Sequence, residues 1–432
     1  MTYYPARGWD APARPAAAQA RRDTLIDYVT GGLAIFMLLI FSQGWIRPLM
    51  GESVDPANSG LIRNLYFPAY FAGIALLVLN AGDAFRVLIR QPFLILIMGL
   101  VVASMTWSID PGETMRRAVA QDFTVLAAVS LAARFSWPRL IELMAITFGI
   151  LCVLSLVMGV AVHSIGRMPP GSQFPGAWRG LWGEKNAMGG YMAVFMPAFT
   201  AAAILHPKRR WLWIGMGLLC LALVLLSTSK TSLVAIALGV AATMFVALVR
   251  RGPASAVAFS YLAVLAALAG VATYMLAAGA IFDALGKDAT LTGRTQIWAA
   301  VMTQVKHHPW LGHGYGTIWS DKLPWTPLAW IIHDAGFRPY HSHSSWYEQL
   351  LWLGIVGLIA WSLFFAQTMI SGIVAAFRDA GAYMALPFLL IYAMISLTES
   401  VSVTYNDLNW VLFVAIACKL AYRDPPPEGA RA

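Results

Sequence analysis

Apolar runs long enough to cross a bilayer follow one another through almost the whole chain, and that series constrains the fold more than any other feature. A span takes roughly 20 apolar residues. Candidate spans centre near residues 35, 72, 99, 126, 150, 196, 219, 240, 267, 360, 391 and 415. With only 12% charged residues and a mean hydropathy of +0.65, the chain is incompatible with a soluble fold. An all-α integral membrane protein of about twelve transmembrane helices is therefore expected. The first 24 residues are polar and rich in Ala, Pro and Arg, and they lead into an apolar run without a small-residue cleavage site, the pattern of a retained first span. Cys152, Cys220 and Cys418 all sit in apolar runs, so no disulfide framework is expected. The formal net charge of +9 is better explained by the membrane than by nucleic acid.

The expected organisation is a tail at 1–24, nine spans over 25–279, a polar loop at 280–345, three spans over 346–422, and a tail at 423–432. If the amino terminus is cytoplasmic, 17 of the 30 Lys and Arg residues fall in short inner loops and tails, in compact clusters such as Lys208-Arg209-Arg210. Both termini are then inside and the 280–345 loop outside.

That loop carries Leu291-Thr-Gly-Arg-Thr-Gln-Ile-Trp298, Gly312-His-Gly-Tyr-Gly316 and His341-Ser-His-Ser344, with six of the eight histidines and five of the 17 tryptophans. A loop this long in a compact domain is either functional or disordered, and so many aromatics argue for order. It is expected to be an ordered cap over an active site.

Ile297, Trp298, Val301, Met302 and Val305 follow helical spacing and Lys306-His-His-Pro309 is a stop signal, so an amphipathic helix is predicted over 292–308. Arg294 falls in its first turn, where an anion would be held by the guanidinium and the free amides together; the alternative is snorkelling to lipid phosphate. His343 precedes a second helix start, with Ser345-Trp-Tyr-Glu348 reading as a capping box. Gly354 and Gly357 in that helix would let a neighbouring span approach. An imidazole at such a mouth suits proton transfer near neutral pH, the plain alternative being a surface histidine bonded to backbone.

Other charges remain outside against the general bias. Arg179 and Lys185 lie beside Trp178 and Trp182 and could bind a phosphorylated lipid head, unless the indoles are simply belt anchors. Arg116 and Arg117 add positive potential or pair with Asp110 or Glu113. Lys230 is a weaker candidate of the same kind. Glu399, near the outer end of the eleventh span, is costly in lipid and should face a cavity. His341 and His343 with His307, His308, His313 and His333 show no recognisable zinc spacing, and no Asp-x-Asp occurs in the outer loops, so neither metal nor cofactor is expected.

These residues resemble the bacterial O-antigen ligase and polysaccharide polymerase superfamily. The pattern of His, then Asn/Ser/Gln, nine residues, Gly, two residues and Gly/Thr/Tyr is met by His343-Ser344, Gly354 and Gly357. Arg294 resembles the family's Arg-x-x-x-Leu arginine, with Trp298 in place of Leu, and Arg179 resembles its second essential arginine. The resemblance implies a GT-C-like fold with the large loop between spans 9 and 10, and metal-independent, inverting glycosyl transfer at the periplasmic face of the inner membrane. The implied donor is a glycan on undecaprenyl pyrophosphate, and the acceptor a second glycan or lipid A core, with a chain-length regulator as a potential partner. The implied catalytic residues are His343, Arg294 and Arg179; Lys185, Arg116, Arg117, Lys230, Trp298 and Glu399 are assigned to substrate binding. Gly293-Arg-Thr-Gln-Ile-Trp298 followed by Pro309-Trp-Leu-Gly-His-Gly-Tyr-Gly316 looks more like the exopolysaccharide polymerase branch than the ligase branch. A twelve-span transporter is the rival class, but it would place polar residues at mid-membrane rather than at one face.

Overall fold

The computed structural model describes residues 16–51, 59–284, 293–319 and 326–422. The terminal stretches 1–15 and 423–432 and the Leu291-Thr292 start of the first loop motif lie outside them. The described chain is helical apart from one isolated bridge between Arg167 and Trp178. In order come α1 (Ala16–Phe41), α2 (Phe67–Leu79), α3 (Pro92–Ala103), α4 (Pro111–Arg134), α5 (Trp137–Ala161), α6 (Lys185–Leu205), α7 (Arg210–Ser227), α8 (Lys230–Val249) and α9 (Pro253–Ala284). The polar region supplies α10 (Arg294–His307) and α11 (Pro327–Ala335), followed by α12 (Ser345–Ala376), α13 (Ala382–Thr398) and α14 (Leu408–Ala421).

Each of the twelve expected span centres falls inside one of these helices. Among the described residues, eight helices are long and apolar enough to cross a bilayer, and a ninth candidate is the pair Ala81–Leu88 and Pro92–Thr106, bent by 90°. Helix α4 carries Glu113, Arg116, Arg117 and Asp122, while α13 and α14 run for only 17 and 14 residues. At 1.5 Å per residue α14 is about 21 Å long, short of the ~30 Å hydrocarbon core.

Packing accounts for these exceptions. Residues 408–419 of α14 are all buried, so this helix is apolar around its circumference and forms the centre of the bundle. Trp410 and Phe413 meet Trp361 and Phe364 of α12, and Phe413 stacks on Tyr392 of α13 at 4.5 Å. Helix α4 covers α14 from another side and packs on α2, and α6 lies against α7, α8 and α13. At the other extreme, residues 253–273 of α9 have no buried positions, as a helix at the periphery of a bundle in lipid would.

The Gly354–Gly357 expectation needs correction. It is a loop, not a neighbouring span, that comes close. Gly354 adopts φ 65°, ψ −160° and breaks α12. The carbonyls of Leu351 and Trp352, freed by the break, accept from the amides of His313 and Gly314; the amides of Ile355 and Val356 donate to Pro309 and Trp310. The Gly312-His-Gly-Tyr-Gly316 segment is thus threaded into a helix break. A Cβ on Gly354 would stand 2.3 Å from the backbone of Trp310, and one on Gly312 2.5 Å from that of Trp352. On the far side of the segment, Ile109 N donates to His313 O and Tyr315 N to Ser104 Oγ.

The φ/ψ of Gly354 is one that a side chain reaches at a cost of about 1–3 kcal/mol before any clash is counted. Gly354→Ala is therefore expected to lower the thermal unfolding midpoint in detergent well below that of Gly99→Ala, whose Cβ would meet nothing within 4 Å. Equal midpoints would contradict the threaded break.

Candidate active site

The start of α12 and the turn after α13 are stitched together. Ser345 N and Oγ both donate to Glu399 O, and Ser345 Oγ accepts from Val401 N and Ser402 N. This sets Glu399 directly opposite His343. The helix cap is Ser344 rather than Ser345, and its side chain caps no amide, so the expected capping box does not form. Glu348 instead turns back as a buried acceptor for Ser342 N at 2.7 Å, Trp319 Nε1 at 3.0 Å and Ser400 Oγ at 3.0 Å.

Helix α10 begins at Arg294, after Gly293 in the left-handed region, and buries Ile297, Ala300, Val301 and Val305, as its periodicity predicts. One turn in, Trp298 stacks on Tyr347 at 5.1 Å and donates Nε1–H to Ser342 O at 2.9 Å. The indole that departs from the family's leucine is therefore a strut: it fixes α10, and with it Arg294, to the His341–Ser344 turn.

The result is a compact constellation. Arg294 Nη2 lies 2.8 Å from Glu399 Oε1, and His343 Nδ1 lies 3.3 Å from Glu399 Oε2. His343 has φ 53°, and its amide donates to His341 Nδ1 at 3.2 Å, with the two rings 3.9 Å apart. Burial on its own would raise the Glu399 carboxyl, but the hydrogen bond from His343 and the charge of Arg294 outweigh it and hold Glu399 below the usual carboxylate range. Burial pushes His341 down to about 4, so it is neutral at neutral pH. An ionised carboxylate can only accept, so in this pair His343 Nδ1 is the donor and Glu399 Oε2 the acceptor.

His341 misses the spacing pattern that His343 meets, and nothing in one dimension shows that the two rings would come together. His341, His343 and Glu399 offer ligand atoms within 4.8 Å of one another. Two of those groups already have other work, since Arg294 holds the carboxylate and His341 Nδ1 accepts from the His343 amide.

The remaining candidates divide. Arg116 and Arg117 line a cavity of about 1110 Å³ beside His341 and Ser400, and they share Glu113, with Arg117 also reaching Gly316 O. Pairing with Glu113, one of the two alternatives read from the sequence, is what forms. Arg179 is buried, and its guanidinium donates to the carbonyls of Ile165, Ser164 and Gly183 at 3.1, 2.9 and 3.4 Å, so in this structure it ties the 163–183 loop together. Lys185 Nζ lies 3.3 Å from both Thr228 O and Thr228 Oγ1 and 3.9 Å from the centre of the Phe174 ring. Lys230, the first residue of α8, is exposed. Arg47 was not singled out, yet it is buried and donates to Trp182 O and Ser164 O, the same loop that Arg179 holds. A basic residue just past the first span, on the expected outer side, was the signal. Burial raises the Glu184 carboxyl, which also senses Arg47, Lys185, Glu399 and His343; the loop thus reaches the same corner of the bundle.

Glu348→Ala would leave three donors without their acceptor, the buried Ser342 amide and the half-buried Trp319 and Ser400 groups, and is expected to cost about 1–3 kcal/mol, while Glu348→Gln keeps an acceptor oxygen and should lose much less. Thermal unfolding of the two variants in detergent checks the order; equal stability would show that the carboxyl is not the keystone of the turn.

Residues 215–362 match the family model described as O-antigen ligase. The chain is also 32% identical over 189 residues to the exopolysaccharide production protein ExoQ of Rhizobium meliloti (strain 1021), an alignment covering 42% of this chain and 43% of that protein. The chain thus matches less than half the length of that relative. The family match spans Lys230, Arg294, Trp298 and His343, while Glu399 and the 163–186 loop lie beyond it. Over these stretches this multi-pass membrane protein is similar to the O-antigen ligase family and to an exopolysaccharide production protein, and the motif order around His343 agrees with that resemblance.

Proposed function

We propose that the protein is a periplasm-facing glycosyltransferase of the bacterial inner membrane that moves a glycan from undecaprenyl pyrophosphate to a sugar hydroxyl, with inversion and without a metal, and so polymerises polysaccharide repeat units. The observation that carries this reading is the bridging carboxylate: Glu399 holds a guanidinium on one oxygen and an imidazole on the other. His343 Nε2 takes the proton of the acceptor hydroxyl as its oxygen bonds to the anomeric carbon. The bond from that carbon to the diphosphate breaks with its electron pair leaving on the diphosphate. In this reading Arg294 meets the charge that develops there, and Glu399 stabilises the imidazolium. Arg179 acts at a distance in this reading, by shaping the loop beside the site. The similarity to an exopolysaccharide production protein favours repeat-unit polymerisation over transfer to lipid A core. A bent helix pair and a broken α12 would also suit a transporter, but Arg294, His343 and Glu399 meet in the turns that open α10 and α12 and close α13, not inside a helix.

Purified protein given a polyprenyl-diphosphate glycan should form polymer from that donor alone. Product that appears only when lipid A core is added would make the enzyme a ligase, and no product with either acceptor would end the transferase reading. In the same assay His343→Ala should reduce the rate by about 10²–10⁴-fold, the usual worth of a general base, and Arg294→Ala by about 10²–10³-fold. Both variants should still unfold at the wild-type midpoint, and normal polymer from either one removes its assigned role.

Chelation separates the two chemistries open to the His341–His343–Glu399 group. Added EDTA should leave the rate unchanged. A loss restored by one divalent ion would instead make these residues ligands.

A further inference from the structure

The cavity beside His341 is larger than the transfer chemistry alone requires, and its lining has a marked character. Among the described residues its wall carries four guanidiniums, from Arg63, Arg116, Arg117 and Arg338, and a single carboxyl, that of Glu348. Glu348 is turned toward Ser342, Trp319 and Ser400, and Glu113 stands behind the wall between Arg116 and Arg117. Even with both carboxyls ionised, positive charge is in excess. His341, neutral at neutral pH, adds none. Between the cations stand the rings of Trp319, Tyr340, Trp352 and Tyr405, flat apolar faces of the sort on which sugar rings lie. Phe67 and Val119, both exposed, extend the wall toward the outside of the bundle.

Arg294, His343 and Glu399 do not line this cavity, whereas His341 and Ser400, their immediate neighbours, do. The reacting groups and the cavity therefore meet at the His341–His343 pair, with room on the cavity side for a second, separate ligand.

We infer that this cavity is the binding site of the second substrate, and that it selects a glycan bearing negative charge, supplied either by acidic sugar residues or by the glycan's own lipid diphosphate. Placing that glycan as acceptor rests on the transfer reading above; the anion-selective sugar site rests on the cavity alone. Guanidiniums recognise carboxylate and phosphate oxygens in pairs, and the aromatic rings between them accept the sugar faces, so charge and stacking act on one ligand.

Binding of three probes to the full-length protein in detergent, measured by calorimetry, tests this. Trigalacturonate represents an acidic glycan, maltotriose a neutral one, and geranylgeranyl diphosphate the lipid-linked diphosphate. At least one anionic probe should bind ten-fold or more tighter than maltotriose, with the preference weakening as salt rises. The double variant Arg63→Gln/Arg338→Gln should abolish that preference while leaving maltotriose binding and the unfolding midpoint as in wild type. If trigalacturonate shows the arginine dependence, the charge is on the sugars; if only geranylgeranyl diphosphate does, it is the lipid diphosphate. The proposal is overturned if neither anion is preferred, or if the preference survives in the double variant. Failure of the polymerisation assay with the anion preference intact would sink the transfer reading and leave this site standing.

Discussion

A helix in a bilayer cannot be interrupted without cost, because every amide and carbonyl released by the interruption must find a partner inside the protein. Here the interruption at Gly354 and the loop at 309–314 resolve the problem for each other. The carbonyls of Leu351 and Trp352 and the amides of Ile355 and Val356 are taken up by the loop, and the loop gains four backbone bonds that it could not make alone. The glycines at 312 and 354 allow this because each stands where a side chain would collide with the opposite backbone. The same exchange holds the first turns of α12 at a defined height and angle, and those turns carry the serine ladder that brings Glu399 to His343.

Glu399 then organises the polar cluster. A lone carboxylate at this depth would take up a proton, and a lone arginine or imidazole would seek water. Set in a row, they support one another: the carboxylate is held below its usual range, the imidazole is oriented through Nδ1, and the arginine is aimed by one of its own hydrogen bonds. His341 contributes by accepting the amide of His343, whose left-handed φ calls for such a support.

Much of this was legible in one dimension, and the reasons differ from residue to residue. The helices were, because apolar runs and the 3.6-residue period of Ile297, Val301 and Val305 report burial directly. His343, Arg294 and Glu399 each stood out as polar groups with something to explain. Their meeting did not, since it depends on pairing residues 342–345 with 399–402, a contact between segments more than fifty residues apart. Glu348 has the spacing of a cap and the burial of a core residue, and only the fold distinguishes the two. Arg179 reads as a charge awaiting a ligand and Arg47 draws no notice at all, whereas both guanidiniums hold backbone carbonyls of one loop.

The buried post α14 has a bearing on how such a bundle can be put together. Its flanks bear Asn409 and Lys419, both enclosed, the lysine reaching Ala132 O, and its first turn is capped by Asp407, which also receives Tyr191. A segment this short, with polar groups at both ends, finds no comfortable resting depth among lipids by itself. Its surroundings are supplied by α4, α12 and α13, so the last of the described helices is held at its depth by its neighbours and in turn joins them from within.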